Sequence, residues 1–390
     1  MHVSPREKEI VAALSRLPVE PGALERVGQG IGEGIDWDAL IEQATRWEVE
    51  PAVFGNLRGH FPQAVTPETF AVITERERVA RAFALSRTLQ VVDLSRAFAG
   101  AGIPAMVLKG PALAIQAYGD YSRRTFVDID LLVSRNDLPR AARLIVERGY
   151  TPKFSEQMTG RLVTGQHALE FSGPGPNIEV HWSLLSRHLR FDLGPDELWR
   201  DACRLECAGG EIDALSAHHL FIYLCAHGAK HEWMKFRWVC DVAQVGSRLT
   251  AAERERVIDL ASRTHSKRIV ALALRLVREI FGELESPFPG DPFSDGPKLD
   301  ALTAVAKSRI HGDRGRDAQI VPRRIAALHP YVEPLAFWMA SRERQRDKLV
   351  CAARFFFEPA ASDRPAGVFE NLLRPARIAA NALMRAVSAS

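Results

Sequence analysis

The chain has 390 residues and a mass of 43.3 kDa, more than one hydrophobic core usually fills, so two or three packed units are expected. Apolar residues supply 46% and charged residues 25%, a balance that excludes wholesale disorder and fibrous repeats. The net charge of +3 is too small to coat nucleic acid by itself, and no apolar run approaches the roughly 20 residues of a membrane span. The charge is uneven: residues 301–390 carry 15 basic and 8 acidic side chains. The start, Met1-His2-Val3-Ser4-Pro5-Arg6, lacks the apolar core of a signal peptide. Five cysteines, an odd and sparse set, read as free thiols in a reducing cytoplasm.

The first hundred residues read as helical. Asp36 caps a helix in which Leu40, Ala44 and Trp47 recur at helical spacing, and Pro51 marks a break. A long helix is predicted from about Pro67 to Phe98, capped by Thr66, with Leu85, Leu89 and Val92 on one face and Gly100-Ala101-Gly102 at its end. The pattern then changes. Residues 104–108 read as a buried strand, 112–118 as a short helix, and 126–133 as a second strand carrying two acids. Residues 136–148 form an amphipathic helix. Residues 167–171 and 177–182 form two strands joined by the turn Ser172-Gly-Pro-Gly-Pro176. From Ser216 the pattern is helical again, over 216–229, 231–245, 251–264 and 266–281. Residues 285–297 read as a loop, and the rest as helix broken by prolines at 322, 330, 334, 359, 365 and 375. The expected fold is α+β: a small mixed sheet with helices on one face, flanked by N- and C-terminal helical domains. The expected units are a helical region over 1–100, a core over 101–195, a helical domain over 196–284 and a basic helical region over 285–390.

Asp128-Ile129-Asp130 is the most informative triplet. Side chains alternate along a strand, so Asp128 and Asp130 point the same way while Ile129, Leu131 and Val133 face the core. Two neighbouring carboxylates repel and are costly to bury, and a divalent cation such as Mg²⁺ or Mn²⁺ relieves that repulsion. A solvated strand edge is the competing reading. Glu179 and His181 share one face of Ile178-Glu-Val-His-Trp182. Glu179 set against the first pair gives three carboxylates around one point, as in two-metal phosphoryl chemistry. His181 is expected as a hydrogen-bonded spacer more than as a ligand. Lys109 and Gly110 sit where a strand ends and a helix begins, a place that attracts phosphate. Arg123 and Arg124 lie four or five residues before Asp128, and guanidinium suits a triphosphate tail.

Leu108-Lys109-Gly110, Arg124-x-x-x-Asp128-Ile-Asp130-Leu-Leu-Val133 and Glu179-x-His181-Trp182, in that order, resemble the uncharacterised nucleotidyltransferase family of bacteria. That family is part of the superfamily typified by DNA polymerase beta. The resemblance spans roughly residues 30–250. It implies metal-dependent transfer of an NMP from an NTP to an acceptor hydroxyl, with release of pyrophosphate. Asp128 and Asp130 would hold two Mg²⁺ (or Mn²⁺) ions, and Glu179 would complete one site and accept the hydroxyl proton. Lys109, the Gly110 amide and Arg124 would hold the triphosphate. Two departures stand out. Gly110-Pro111 replaces the superfamily's Gly-Ser, and Glu179 replaces an aspartate.

Residues 224–241 also look like the family's helical segment behind the core. Were one helix to run through them, His227, Lys230, Arg237 and Asp241 would share a face lining the cleft, with Lys230 and Arg237 as further nucleotide contacts. An Arg237–Asp241 surface pair is the competing reading. Gly28-x-Gly30-x-Gly32-x-Gly34 lacks dinucleotide-binding spacing and reads as a flexible turn. Cys203 and Cys207 with His218 and His219 are too loosely spaced for a zinc motif, and buried thiols are the commoner case. The basic stretch with Arg342, Arg344, Arg346, Lys348 and Arg354 reads as a solvated helix face, with nucleic acid a less favoured partner. Three rival readings remain: a catalytically altered nucleotide-binding regulator, a basic-surface interaction protein, and a phosphotransferase. On the nucleotidyltransferase reading, replacing Arg124 with alanine raises the NTP requirement and leaves the fold intact.

Overall fold

The computed structural model describes residues 3–153, 167–185, 193–282, 296–312 and 332–357, with single positions at 287, 288, 290, 292, 293 and 320. Four short helices open the chain: α1 (Pro5–Leu14), α2 (Pro21–Gly32), α3 (Trp37–Arg46) and α4 (Glu50–His60). Ser4 and Glu7 form a capping box at α1, and the Asp36 carboxylate accepts from the Ala39 amide at 3.0 Å. Gly28, Gly30 and Gly32 lie inside α2, not in a flexible turn, and in that run only Gly34 has a left-handed φ, +92°. Gly30 serves packing. A Cβ there would come within 3.2 Å of the Ile10 side chain of α1.

The long helix α5 (Pro67–Gly100) begins at the Thr66 cap. Its buried face differs from the expected one. Val92 is buried as expected, but Leu85 and Leu89 are exposed, and Ala84, Thr88, Val91 and Phe98 complete the buried stripe. The sheet beneath the second half of α5 selects the face, and helical periodicity alone could not say which stripe meets it. The helix closes with the Ile103 amide donating to the Phe98 carbonyl at 2.9 Å, across Gly102 at φ +63°.

Seven strands form one mixed sheet in the order β3-β4-β5-β2-β1-β7-β6. They are β1 (Ala105–Val107), β2 (Ile129–Val133), β3 (Thr151–Pro152), β4 (Ala168–Ser172), β5 (Ile178–His181), β6 (Cys203–Cys207) and β7 (Gly210–Ala214). β2 runs antiparallel to β1 and parallel to β5, and β4 and β5 pair as the expected hairpin. β2 starts at Ile129, three residues later than expected, so Asp128 stands at its mouth. The β6–β7 hairpin was not foreseen. Ala208 and Gly209 at its tip both have positive φ, as two-residue hairpin turns require. The sheet therefore continues to residue 214.

Alternation splits the core. Ile129, Leu131, Val133, Ile178 and Val180 pack with α5 and α7 (Leu138–Glu147) in one cluster. Met106, Leu108 and Leu132 face the other way, into the cluster built by the flanking helices. Those helices are α6 (Pro111–Tyr118), α8 (Pro195–Arg200), α9 (Ala217–Lys230), α10 (Phe236–Arg248), α11 (Ala251–Arg263), α12 (Lys267–Phe281), α13 (Pro297–His311), α14 (Val332–Ala340) and α15 (Gln345–Phe357).

No single helix runs from 224 to 241. Between α9 and α10 the chain turns through Glu232 and Trp233, both at positive φ. Trp233 is fully buried, and its ring lies where a Cβ on Gly228 would fall, 2.5 Å away. Gly228→Ala is therefore expected to lower stability by about 1–3 kcal/mol through overpacking, read as a lower melting temperature.

At the C-terminal end Arg342 is buried, not solvated, whereas Arg344 and Arg346 are exposed. Pro334 sits in the first turn of α14, where it does not interrupt the helix. Pro322, Pro330, Pro359, Pro365, Pro375 and much of the 285–297 loop lie outside the described residues. Among the described residues no helix is long and apolar enough to cross a membrane.

Candidate active site

Strand register brings the acids together. Asp130 on β2 and Glu179 on β5 are directly opposed partners, and His181 follows Glu179 on the same face. Ligand atoms of Asp130, Glu179 and His181 all lie within 4.8 Å of one another. His181 Nε2 is 3.3 Å from Asp130 Oδ1 and 3.4 Å from Glu179 Oε2. Lys109 Nζ lies 3.0 Å from the same Asp130 Oδ1. Lys109 is held there because the Leu108 amide donates to the Asp130 carbonyl at 3.0 Å, the last rung beyond β1. Asp128 stands outside the tight set of three and is half-buried.

The charges respond to one another. Burial works against the Lys109 ammonium, but the Asp130 carboxylate, with Tyr223 and Asp128 adding to it, holds the lysine pKa above its usual value. Burial likewise opposes ionisation of Asp130. Lys109 and then His181 overcome it and hold this carboxyl well below the usual range. The hydrogen bond from His181 lowers Glu179 against its own partial burial. For His181, burial favours the neutral ring, yet its bonds to both acids raise its pKa. Asp128 is pushed up by burial first and then by the Asp130 charge, with Glu179 adding to it. It thus feels both of the other acids, the repulsion that a divalent cation removes.

Gly110 adopts φ +58° and caps α6, with Pro111 at the first helical position. The amide that proline lacks has no intrahelical partner there in any case, so the departure from Gly-Ser costs the helix nothing.

Arg124 is not free in the cleft. Its Nε and Nη2 donate to the two carboxylate oxygens of Asp241 at 2.8 and 2.9 Å, and its Nη1 donates to the Thr125 carbonyl at 3.2 Å. Asp241 is fully buried and also accepts from the Tyr118 hydroxyl at 3.0 Å. Arg237 donates to the same Thr125 carbonyl at 3.0 Å and pairs with Glu48 at 2.8 Å. The Arg237–Asp241 surface pair is therefore absent, since Asp241 belongs to Arg124. Both arginines grip the loop that delivers Asp128 to the mouth of β2.

Lys230, at the end of α9, donates to His167 Nε2 at 3.1 Å, and the His167 and His181 rings approach to 5.5 Å. Burial and then the Lys109 charge push Lys230 down to about 8. His167 was not singled out in the sequence. It lies one residue before β4, on the strand that pairs with β5, and only the hairpin register could have pointed to it. His231 and Trp238 pack beside this end of α9 with ring centroids 5.3 Å apart.

All these residues fall within the span 33–282, which matches the family model of the uncharacterised nucleotidyltransferases. The chain belongs to that family. No curated protein matches it. Membership supports nucleotidyl transfer as the general reaction and an NTP as substrate. The matched span ends before the basic C-terminal region.

Nucleotidyltransferases generally work with divalent metal, and the donor set here fits one. Asp130 Oδ2 is buried without a hydrogen-bond partner, and such an orphan is costly unless something is bound. Carboxylate oxygens from Asp130, Glu179 and Asp128 are the hard donors that Mg²⁺ or Mn²⁺ prefers.

Proposed function

We propose that the protein is a metal-dependent nucleotidyltransferase that moves an NMP from an NTP to an acceptor hydroxyl and releases pyrophosphate. The observation that carries the reading is Asp130 set opposite Glu179 with its Oδ2 buried and bare. Asp128, Asp130 and Glu179 would hold Mg²⁺ or Mn²⁺, which when bound would neutralise charge on the phosphates. Lys109 stays cationic and, beside the Gly110 amide, offers positive charge to the triphosphate. Glu179, ionised and with its side chain 31% exposed, accepts the proton of the attacking hydroxyl, while His181 orients it. Arg124 and Arg237 act at one remove, holding the loop that positions Asp128. Five free thiols, four of them buried, fit a reducing cytoplasm.

Lys230 supplies a second cation whose charge is conditional. Lys109, Glu179, Asp130, Glu170, His167 and His231 surround it. With a pKa of about 8 its charge is present below that pH and lost above it. If Lys230 contacts phosphate, the KM for NTP rises about five-fold from pH 8 to pH 9, and Lys230→Arg flattens that rise. A wild-type KM that stays constant across this interval removes Lys230 from the nucleotide site.

The reading is tested by pyrophosphate release with Mg²⁺, the four NTPs and a panel of hydroxyl-bearing acceptors. Acceptor-dependent release is expected. Binding of NTP without release indicates a regulator that has kept only the fold.

A further inference from the structure

His218 and His219 open α9 at the end remote from Lys230, eleven residues or about 16 Å of helix away. With Asp201, the residue after α8, each offers a ligand atom within 4.8 Å of the others. His218 Nε2 is 3.3 Å from Asp201 Oδ2, and His219 Nε2 is 3.9 Å from Glu197 Oε1. His219 is fully buried and its Nε2 has no hydrogen-bond partner. Ser216 Oγ lies 2.9 Å from Nδ1 of that ring. In the tautomer with Nδ1–H donating to Ser216, the buried Nε2 keeps a free lone pair for a cation.

We propose that Asp201, His218 and His219 form a second metal site, structural and separate from the acids of the sheet, with Glu197 beside it. A tetrahedral ion bound at roughly 2.1 Å has ligand atoms about 3.4 Å apart, close to the 3.3 Å between His218 and Asp201. Two imidazoles with a carboxylate suit Zn²⁺ or a similar borderline ion better than Mg²⁺. The outer contacts are built as such sites require. Ser216 fixes one ring, and Arg263 donates to Glu197 Oε1 at 2.7 Å. Arg256 lies 4.0 Å from Asp201 and tempers the negative charge. The ion would staple α8 to the start of α9 across the β6–β7 hairpin. The thiols take no part. Cys203 donates to the Leu215 carbonyl, and Cys207 packs in the core.

The full chain, stripped with chelator and held in excess Mg²⁺ to fill the hard-oxygen site, is titrated with Co²⁺. One equivalent with the visible d–d bands of a tetrahedral centre is expected, displaced by Zn²⁺. The bands should persist in an Asp130→Asn/Glu179→Gln double variant and vanish in His218→Gln and in Asp201→Asn. X-ray absorption at the zinc edge of the wild-type chain needs no variant and should show two imidazole ligands. Absence of tetrahedral bands, their loss in the double variant, their survival in His218→Gln, or fewer than two imidazoles overturns the site.

Discussion

Arg124→Ala is expected to destabilise the fold by about 3–5 kcal/mol, because it strands a fully buried carboxylate. Asp241 would keep only the Tyr118 hydroxyl, and the Thr125 carbonyl would lose one of its two guanidinium donors. The loss is read from denaturant unfolding. Arg124→Met combined with Asp241→Leu should recover most of it, since removing both charges leaves none unpaired. This reverses the expectation from sequence, which placed Arg124 on the triphosphate and spared the fold. An Arg124→Ala chain that unfolds like wild type and only needs more NTP would return the arginine to the nucleotide.

Asp130→Asn is expected to cut transfer on the order of 10³-fold, the scale of removing one preorganised electrostatic contact at a reacting centre. Asparagine keeps the shape and one acceptor oxygen for Lys109, so the chain should still fold, as circular dichroism would check. The bare Oδ2, the atom proposed to meet the cation, becomes an amide that cannot serve. Glu179→Gln should fall by a similar factor. The pair combined should lose little more, because residues that act as a unit are not additive. Near-wild-type transfer by Asp130→Asn would remove the acids from the chemistry.

The acids were legible because strand alternation has a period of two. Asp128, Asp130, Glu179 and His181 announce their faces by position alone, and the Gly-Pro turn at 173–176 announces the hairpin that carries two of them. Their meeting depended on which strands lie side by side, and parallel pairing of β2 with β5 is not written in either strand. The pairing of Arg124 with Asp241 is hidden in the sequence for a related reason. Its partner is 117 residues away, and an arginine in a loop looks the same whether it grips phosphate or a buried aspartate. Lys230 and His167, 63 residues apart, meet in the same unreadable way. The β6–β7 hairpin escaped because Arg204, Glu206, Glu211 and Asp213 alternate with its apolar residues and resemble a polar loop. The alternation of Cys203, Leu205 and Cys207 was the available signal. The glycines of α2 show the opposite error. Composition suggested a turn, while close helix packing at Ile10 used the missing side chain.

The most direct measurement follows the label from NTP carrying ³²P at either the α or the γ phosphorus, with Mg²⁺ and an acceptor that responds. The acid cluster predicts that α label becomes covalently attached to the acceptor while γ label leaves as pyrophosphate, and that Asp128→Asn abolishes the attachment. Attachment of γ label, or full α-label transfer by Asp128→Asn, would contradict it.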